Sequence, residues 1–312
     1  MPKNLTKISD LSAPEIKAII EQAFVYKKEK DQGIKHQDIL QGKSIAMVFE
    51  KASLRTKVAL ETATYQLGGH AVYLSSSQIL ASGNNQQGRE SIPDIARNLE
   101  RFCELIAARV YNHKSIEILS NSSRKPIINL LCEQHHPTQT LADLMVIYWH
   151  KQNFENIKVC FIGDANNVSQ DLMFGCATMG INFSIASPNS YSIPNDLLEE
   201  AQAIAQKSNA KIENTTSPQI AIQNSDFVYT DTFISMGEED QYNQKIKDFS
   251  NYQVNSALMQ KAKANAKFMH CLPAHRGEEV TDDVMDNSNS IVFDQAECRL
   301  HIMKSLLHYY FS

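Results

Sequence analysis

The sequence predicts an α/β protein made of two doubly wound parallel-sheet domains with a cleft between them. The chain has 312 residues, enough for two domains of roughly 150 residues each. Short apolar runs alternate with segments of helical periodicity along its whole length, as in βαβ units around parallel sheets. The helical segment 138–150 joins two such series. We therefore expect one domain over residues 1–150 and a second over 151–312.

The individual elements follow from capping signals and periodicity. Ser12 and Glu15 form a capping-box pattern, with Pro14 in the first turn, so a helix begins there, and its apolar residues recur at helical spacing before the charged tail 27–31. The further predicted helices are 53–67, 91–103, 138–150, 168–179 and 194–206. The predicted strands are 44–49, 71–74, 105–110, 126–130, 159–162, 182–186, 227–230, 267–270 and 291–293. A polar loop is expected to run through Asn243, and Asp294 is the predicted N-cap of the last helix.

Composition excludes several classes of protein. Hydrophobic residues make up 43% of the chain and charged residues 21%, which is typical of a globular protein. A net charge of -5 gives no general attraction to nucleic acid or to an anionic membrane. No continuous apolar span of ~20 residues and no signal-peptide pattern occurs. The six cysteines form no CxxC pair, so neither a disulfide framework nor a zinc site is indicated. We expect a cytoplasmic protein.

Two segments of the first half carry groups that bind anions. Ser53, Leu54, Arg55 and Thr56 lie between a predicted strand and a helix, where hydroxyls, a guanidinium and free N–H groups could hold a phosphate. A plain N-cap serine followed by a solvated basic turn remains the alternative. Arg109 ends the strand 105–110, either at a solvated edge or aimed into the cleft.

A histidine and a glutamine follow the last strand of the first half. In the run His136, Pro137, Thr138 and Gln139, the histidine and the glutamine can donate to a carbonyl oxygen while the proline fixes the turn. A histidine packed at a helix start is the alternative interpretation.

The second half presents a different set of polar residues after its strands. Residues 163–167 follow a strand but lack the GxGxxG pattern, which disfavours dinucleotide binding, and their paired asparagines suit a zwitterionic ligand. Asp231 follows the next strand and could bind an ammonium group. Cys271 closes another strand and could contact an amine, act as a nucleophile or simply pack. Arg299 is expected in the first turn of the last helix, where a solvated surface charge is the alternative.

Taken together, four ordered motifs resemble those of the ornithine carbamoyltransferases, over residues 47–301. The motifs are Ser53-Leu54-Arg55-Thr56, His136-Pro137-Thr138-Gln139, Asp231 with Ser235-Met236-Gly237, and His270-Cys271-Leu272-Pro273. The first two are shared across the aspartate/ornithine carbamoyltransferase superfamily, whereas the last two are specific to the ornithine branch. The resemblance implies transfer of the carbamoyl group of carbamoyl phosphate to the δ-amine of ornithine, without a metal or another cofactor.

The resemblance also implies a role for each matching residue. The carbamoyl phosphate domain is 1–150 and the ornithine domain 151–312, with the last helix, about 295–312, packing back on the first domain. The implied catalytic residues are Arg55, Thr56, Arg109, His136, Asp231 and Cys271. The implied carbamoyl phosphate contacts are Ser53, Leu54, Arg55, Thr56, Gln78, Arg109, His136, Pro137, Thr138, Gln139, Cys271, Leu272 and Arg299. The implied ornithine contacts are Asn167, Asp231, Ser235 and Met236. Such enzymes are homotrimers or multiples of trimers, in which Gln78 of a neighbouring subunit would complete the site.

The chain departs from the family pattern at a few positions. Lys57, Ala165, Phe233 and Cys298 replace residues usual in the family, and the segment 79–89 is longer than usual. Two alternatives remain open: a carbamoyltransferase acting on another amine, such as putrescine or an acylated ornithine, and a homologue that binds anions or partners without catalysis.

Overall fold

The computed structural model describes residues 3–75, 90–234 and 239–312. The chain folds into two compact units, Met1–Met145 with Glu297–Ser312, and Val146–Ala296. Gln78, Ser235 and Met236 lie outside the described residues. Within the described ranges, no helix is both long and apolar enough to cross a membrane.

The first unit contains a parallel sheet of order β2-β1-β3-β4. Its strands are β1 (Ser44–Phe49), β2 (His70–Ser75), β3 (Leu105–Arg109) and β4 (Ile127–Leu131). Its helices are α1 (Ala13–Asp31), α2 (Arg55–Gln66), α3 (Ile92–Phe102) and α4 (His113–Ser122), and α5 (Pro137–Lys151) leads into the second unit. The sheet is buried among apolar side chains such as Val48, Ile106 and Ile116. In the register of β1 and β3, Phe49 lies beside Arg109, so the carboxyl ends of both strands meet at one edge.

The second unit contains a parallel sheet of order β7-β6-β5-β8-β9. Its strands are β5 (Lys158–Ile162), β6 (Asn182–Ala186), β7 (Ile212–Thr215), β8 (Phe227–Thr230) and β9 (Lys267–His270). Its helices are α6 (Asn167–Met179), α7 (Asn195–Ser208), α8 (Pro218–Ala221), α9 (Tyr242–Asp248), α10 (Ser256–Met259) and α11 (Asp282–Met285). Val228, Phe249 and Phe268 belong to its core.

The last helix, α12 (Val292–Phe311), returns the chain to the first unit. Ser305 Oγ donates a hydrogen bond to the carbonyl of Ile19 at 2.7 Å, and the Tyr309 hydroxyl donates to Glu15 at 2.8 Å. Both partners belong to α1. Helix α12 therefore packs against α1.

The fold class is confirmed: two parallel sheets, each accompanied by helices. The capping box at the start of α1 is also present. The backbone amide of Ser12 donates to the Glu15 carboxylate at 2.8 Å, and the Ser12 side chain accepts from the backbone amide of Glu15. Three details of the sequence prediction were wrong. Helix α9 begins at Tyr242, inside the expected loop; residues 291–293 form no strand; and Asp294 lies inside α12 rather than capping it.

Candidate active site

Chemistry-bearing residues of the first unit gather where its strand order reverses. β1 and β3 are neighbours in the sheet, and their connections lead to opposite sides, which opens a crevice at their carboxyl ends. Helix α2 begins there at Arg55, with Leu54 rather than Ser53 as its N-cap residue. Thr56 is buried in its first turn, and the buried Arg109 ends β3. The order of the strands thus brings the Ser53–Thr56 segment next to Arg109.

Arg299 connects two of the predicted site segments although it lies far along the chain. It is buried inside α12, well beyond the first turn, so the expected first-turn position was wrong. One of its guanidinium nitrogens, Nη1, donates to Gln139 Oε1 at 2.7 Å, and Nη2 donates to the hydroxyl of Thr56. Gln139 Nε2 in turn donates to Asp143 at 2.8 Å. The planar fork of the arginine therefore fixes the helix starts of α2 and α5 relative to each other.

His136 lies in the middle of this positively charged region. It is buried, and its pKa lies well below its usual value because burial disfavours the charged ring and because the guanidinium groups of Arg299, Arg109 and Arg55 repel a further positive charge. The imidazole is therefore neutral at pH 7 and offers one N–H donor. Three guanidinium groups close to a buried neutral ring make a site suited to an anion.

The remaining predicted residues of this segment have simpler surroundings. Pro137 begins α5, and Thr138 is buried with its hydroxyl 3.5 Å from the carbonyl oxygen of Leu130. The side chain of Leu54 is 73% exposed. Lys51, four residues before Arg55, was not among the residues predicted from the sequence. Burial and the nearby Arg109 lower the pKa of Lys51, which shows that another basic side chain lies at this edge of the sheet.

In the second unit, Asp231 is the meeting point of the polar groups. β5 and β8 are the neighbours at which the strand order reverses. The loop after β5 contributes Asn166, whose Nδ2 donates to Asp231 Oδ2 at 2.9 Å and whose Oδ1 accepts from the amides that begin α6. Cys271 Sγ donates to Asp231 Oδ1 at 3.0 Å. Asn167 is the first residue of α6. Asp231, Cys271 and Asn167 were predicted from the sequence, whereas Asn166 was missed, although it lies in the same asparagine pair.

The turn that carries Cys271 is held by a buried histidine and a buried glutamate. His270 Nδ1 accepts from the backbone amide of Leu272 at 2.9 Å, so its Nε2 carries the proton and donates to Glu279 at 3.1 Å. Leu272 has a left-handed φ of 61°, and its peptide bond to Pro273 is cis. Both polar partners are fully buried. These contacts fix the backbone on either side of the Cys271 thiol.

Two groups of side chains in the described residues bring three possible metal-ligand atoms within 4.8 Å of one another. They are Asp231 with His270 and Cys271, and His275 with Glu278 and Glu279. In both groups, donor atoms are already engaged in hydrogen bonds, Cys271 with Asp231 and His270 with Glu279. The hydrogen bond between His270 and Glu279 joins the two groups.

The four substitutions in the family pattern have defined environments. Lys57 lies over the ring of Tyr73, with 3.7 Å between its nitrogen and the ring centroid. Phe233 stacks on Phe249 with ring centroids 4.7 Å apart. Ala165 and Cys298 are buried. Lys57 thus makes a cation–π contact, and the other three side chains are buried in the unit to which they belong.

Comparisons with known proteins agree with this chemistry. The family model for the "aspartate/ornithine carbamoyltransferase, carbamoyl-P binding domain" matches residues 3–149, and that for the "Asp/Orn binding domain" matches residues 155–310. The chain is 42% identical to an ornithine carbamoyltransferase of Bacillus subtilis over 98% of this chain and 92% of that protein. It is also 42% identical to one of Methanosarcina mazei, over 98% of each chain.

Solved structures give the same result. The ornithine carbamoyltransferase of Pyrococcus furiosus matches with a TM-score of 0.93 and 41% identity, over 98% of this chain and 96% of that one. The anabolic enzyme of Campylobacter jejuni matches with a TM-score of 0.90 and 35% identity, over 99% and 98% of the two chains. With these matches covering nearly its whole length, the chain belongs to the aspartate/ornithine carbamoyltransferase family.

Proposed function

We propose that this protein is an ornithine carbamoyltransferase, which transfers the carbamoyl group of carbamoyl phosphate to the δ-amine of L-ornithine and releases L-citrulline and phosphate. The observation that carries the proposal is the cluster of Arg55, Arg109 and Arg299 around the buried neutral His136. Three cations at the reversal point of a parallel sheet suit a phosphorylated substrate. The names of the similar proteins supply ornithine, and the family model over residues 3–149 supplies carbamoyl phosphate.

Carbamoyl phosphate is assigned to the first unit. Ser53, Leu54, Arg55 and Thr56 bind its phosphate with hydroxyls, amides and a guanidinium at the start of α2. Arg109, His136 and Thr56 donate to its carbonyl oxygen, and Gln139 and Arg299 complete the pocket. The remaining contacts proposed for this substrate are Pro137, Thr138, Cys271 and Leu272, with Gln78 supplied by a neighbouring subunit.

Ornithine is assigned to the second unit. Asp231 binds the α-ammonium group, because a carboxylate at the carboxyl end of a parallel strand faces the ligand edge of the sheet. Asn167 binds the α-carboxylate through its amide, and Cys271 lies beside Asp231 and orients the reacting amine. Ser235 and Met236 are the further proposed contacts. An acceptor lacking a free α-ammonium group would leave Asp231 without its partner, which disfavours putrescine and acylated ornithine.

The reaction follows from these positions. The neutral δ-amine attacks the carbamoyl carbon, negative charge develops on the carbonyl oxygen, and phosphate leaves as the C–O bond breaks. Donors that are already oriented toward that oxygen lower the barrier, and the loss of one typically costs on the order of 10²-fold in rate. His136 suits this role because it is neutral and donates without adding charge. The sequence of steps uses no covalent enzyme intermediate, and no cofactor takes part.

A cytoplasmic homotrimer, or a multiple of trimers, is the proposed assembly. Large apolar side chains are exposed on α2 and β2: Val58 at 50%, Tyr65 at 71% and Tyr73 at 37%. A surface of this kind, near the proposed carbamoyl phosphate site, suits contact with another copy. Light scattering is expected to give a mass about three times the 35.1 kDa of the chain, or a multiple of that. A monomer would refute the proposed sharing of Gln78.

An acceptor assay tests the function directly. The protein is incubated with carbamoyl phosphate and one of five amines: ornithine, putrescine, lysine, N-acetylornithine or aspartate. Citrulline and phosphate should appear in equal amounts with ornithine, with kcat/KM about 100-fold or more above that of any other amine. Faster turnover of putrescine or N-acetylornithine would identify the alternative acceptor. The absence of phosphate release with every amine would leave only anion binding.

A further inference from the structure

The short helix α9 carries a buried lysine outside the set of substrate contacts. Lys245 is only 2% exposed, and its Nζ lies 2.7 Å from Asp164 Oδ2. Asp164 begins the polar part of the loop after β5, the same loop that supplies Asn166 and Asn167. A buried ammonium paired with a carboxylate contributes strongly to local geometry, because separation of the pair leaves a charge without compensation.

A second contact reinforces the same loop. Tyr191 accepts a hydrogen bond through its carbonyl from the amide of Ala165 at 3.0 Å, and its hydroxyl donates to Asp248 of α9 at 2.9 Å. The Lys245 ammonium also lies 5.2 Å from the centroid of the Tyr191 ring. Two residues of α9, Lys245 and Asp248, therefore contact groups that hold the loop.

The residue that follows α9 packs close to the strand end that carries Asp231. Phe249, which directly follows α9, stacks on Phe233 with the ring planes 17° apart. Phe233 follows Asp231 by two residues, and Asp231 is itself bonded to Asn166 of the loop. Helix α9 and the residue that follows it thus contact both backbone segments that meet at Asp231.

We infer that Lys245 is a positioning residue for the amino-acid substrate: its ion pair with Asp164 holds the loop 163–167 so that Asn166 orients Asp231 and Asn167 is correctly placed. This inference rests on the proposed function of the second unit. It predicts that the loss of the pair weakens binding of ornithine selectively, because the carbamoyl phosphate contacts belong mostly to the first unit.

Lys245→Met tests the inference, since it keeps the length of the apolar stem and removes the charge. We expect KM for ornithine to rise about 10- to 100-fold, as when a supporting contact shifts a binding group by a fraction of an ångström. KM for carbamoyl phosphate should change by less than about threefold, and Lys245→Arg should restore most of the ornithine affinity. A purely structural role would lower the active fraction, and hence kcat, without moving either KM.

Lys263→Met is the matched control. Lys263 also pairs with a carboxylate of the second unit at 2.7 Å, that of Asp226, which keeps Lys151 as a second partner. The Lys263→Met variant should leave the KM values for ornithine and carbamoyl phosphate unchanged. Should Lys245→Met fail to fold, Asp164→Asn carries the same prediction. An unchanged KM for ornithine in an active, folded variant overturns the inference alone, whereas a wild-type protein that forms no citrulline overturns the proposed function.

Discussion

At the residue scale, His136 has the most constrained protonation state of the candidate site. Burial and three guanidinium groups hold its pKa well below the usual value. Its ring signals in an NMR titration should therefore show no inflection between pH 6 and 8, whereas exposed histidines titrate near pH 6.5. The His136→Asn variant assigns the signal by its disappearance. An inflection near pH 6.5 would contradict the buried position of the ring beside the three arginines.

Cys271 is the residue for which the sequence left two chemical roles open. Its thiol donates to Asp231, and a carboxylate is a weaker base than the histidine that commonly activates a thiol nucleophile. We propose that the thiol positions the amine. We expect Cys271→Ser to reduce turnover without abolishing it, because a hydroxyl can donate to the same carboxylate. A covalent nucleophile would leave almost no activity. Complete inactivity with normal folding would contradict the positioning role.

The reacting amine also predicts a pH dependence. A δ-ammonium group with a pKa of ~10.4 is almost fully protonated at neutral pH, and only the neutral form attacks. The kcat/KM for ornithine should therefore climb from pH 7 to about pH 8. Binding of a non-reactive carbamoyl phosphate mimic should stay constant over that range, since the arginines do not titrate and His136 stays neutral. A flat profile for ornithine would require a different mechanism.

At the element scale, α12 carries a further buried histidine, His301. Burial lowers the pKa of His301 to about 4, against the partly opposing hydrogen bond to Glu297. Between pH 6.5 and 4, the unfolded chain therefore binds a proton that the folded chain does not, so stability falls as the pH falls through this window.

His301→Gln isolates this contribution, because glutamine can still donate to Glu297 and does not titrate. From pH 7 to pH 5 the wild type should lose about 1–2 kcal/mol more unfolding free energy than the variant in urea. His136 is present in both proteins, so its contribution to the pH dependence of the unfolding free energy cancels in the comparison. Equal losses would indicate that the pKa of His301 is the same in the folded and the unfolded protein.

The elements that the sequence predicted well are those with strong local signals. The capping box of α1 and the apolar strands 182–186, 227–230 and 267–270 match the structure. The predicted strand 291–293 was wrong because three apolar residues fit either periodicity. The last helix already begins at Val292, and of these three residues only Ile291 bonds to a strand, through the carbonyl of Phe268 at 2.9 Å. β7 was missed because Glu213 and Asn214 interrupt its apolar pattern.

At the scale of the whole molecule, the alternation of strands and helices was sufficient to predict two parallel sheets. It could not predict strand order, and strand order is what brings Arg55 beside Arg109, or the loop 163–167 beside Asp231. The contact of Arg299 with Thr56 joins residues 243 positions apart. No local sequence pattern contains such a contact. Arg299 was therefore predicted as a carbamoyl phosphate contact from the resemblance to a family and not from its own surroundings in the sequence.

We propose that each unit binds one substrate: the arginine cluster of the first unit binds carbamoyl phosphate, and Asp231 of the second binds ornithine. Loss of one charge-assisted contact costs about 1.5–3 kcal/mol, or roughly 10- to 150-fold in affinity. Exposed residues provide matched controls: Arg97, with 66% of its side chain exposed, and Asp282, with 74%. Arg97→Ala and Asp282→Asn should leave both Michaelis constants unchanged.

The most direct measurement is the KM of each substrate, determined in one steady-state citrulline assay for Arg55→Ala and Asp231→Asn. Arg55→Ala should lose nearly all turnover and, in the activity that remains, raise KM for carbamoyl phosphate at least about tenfold. Asp231→Asn should raise KM for ornithine at least about tenfold and change that for carbamoyl phosphate by less than about threefold. Equal effects of Asp231→Asn on both substrates, or turnover of Arg55→Ala within threefold of wild type, would contradict the account.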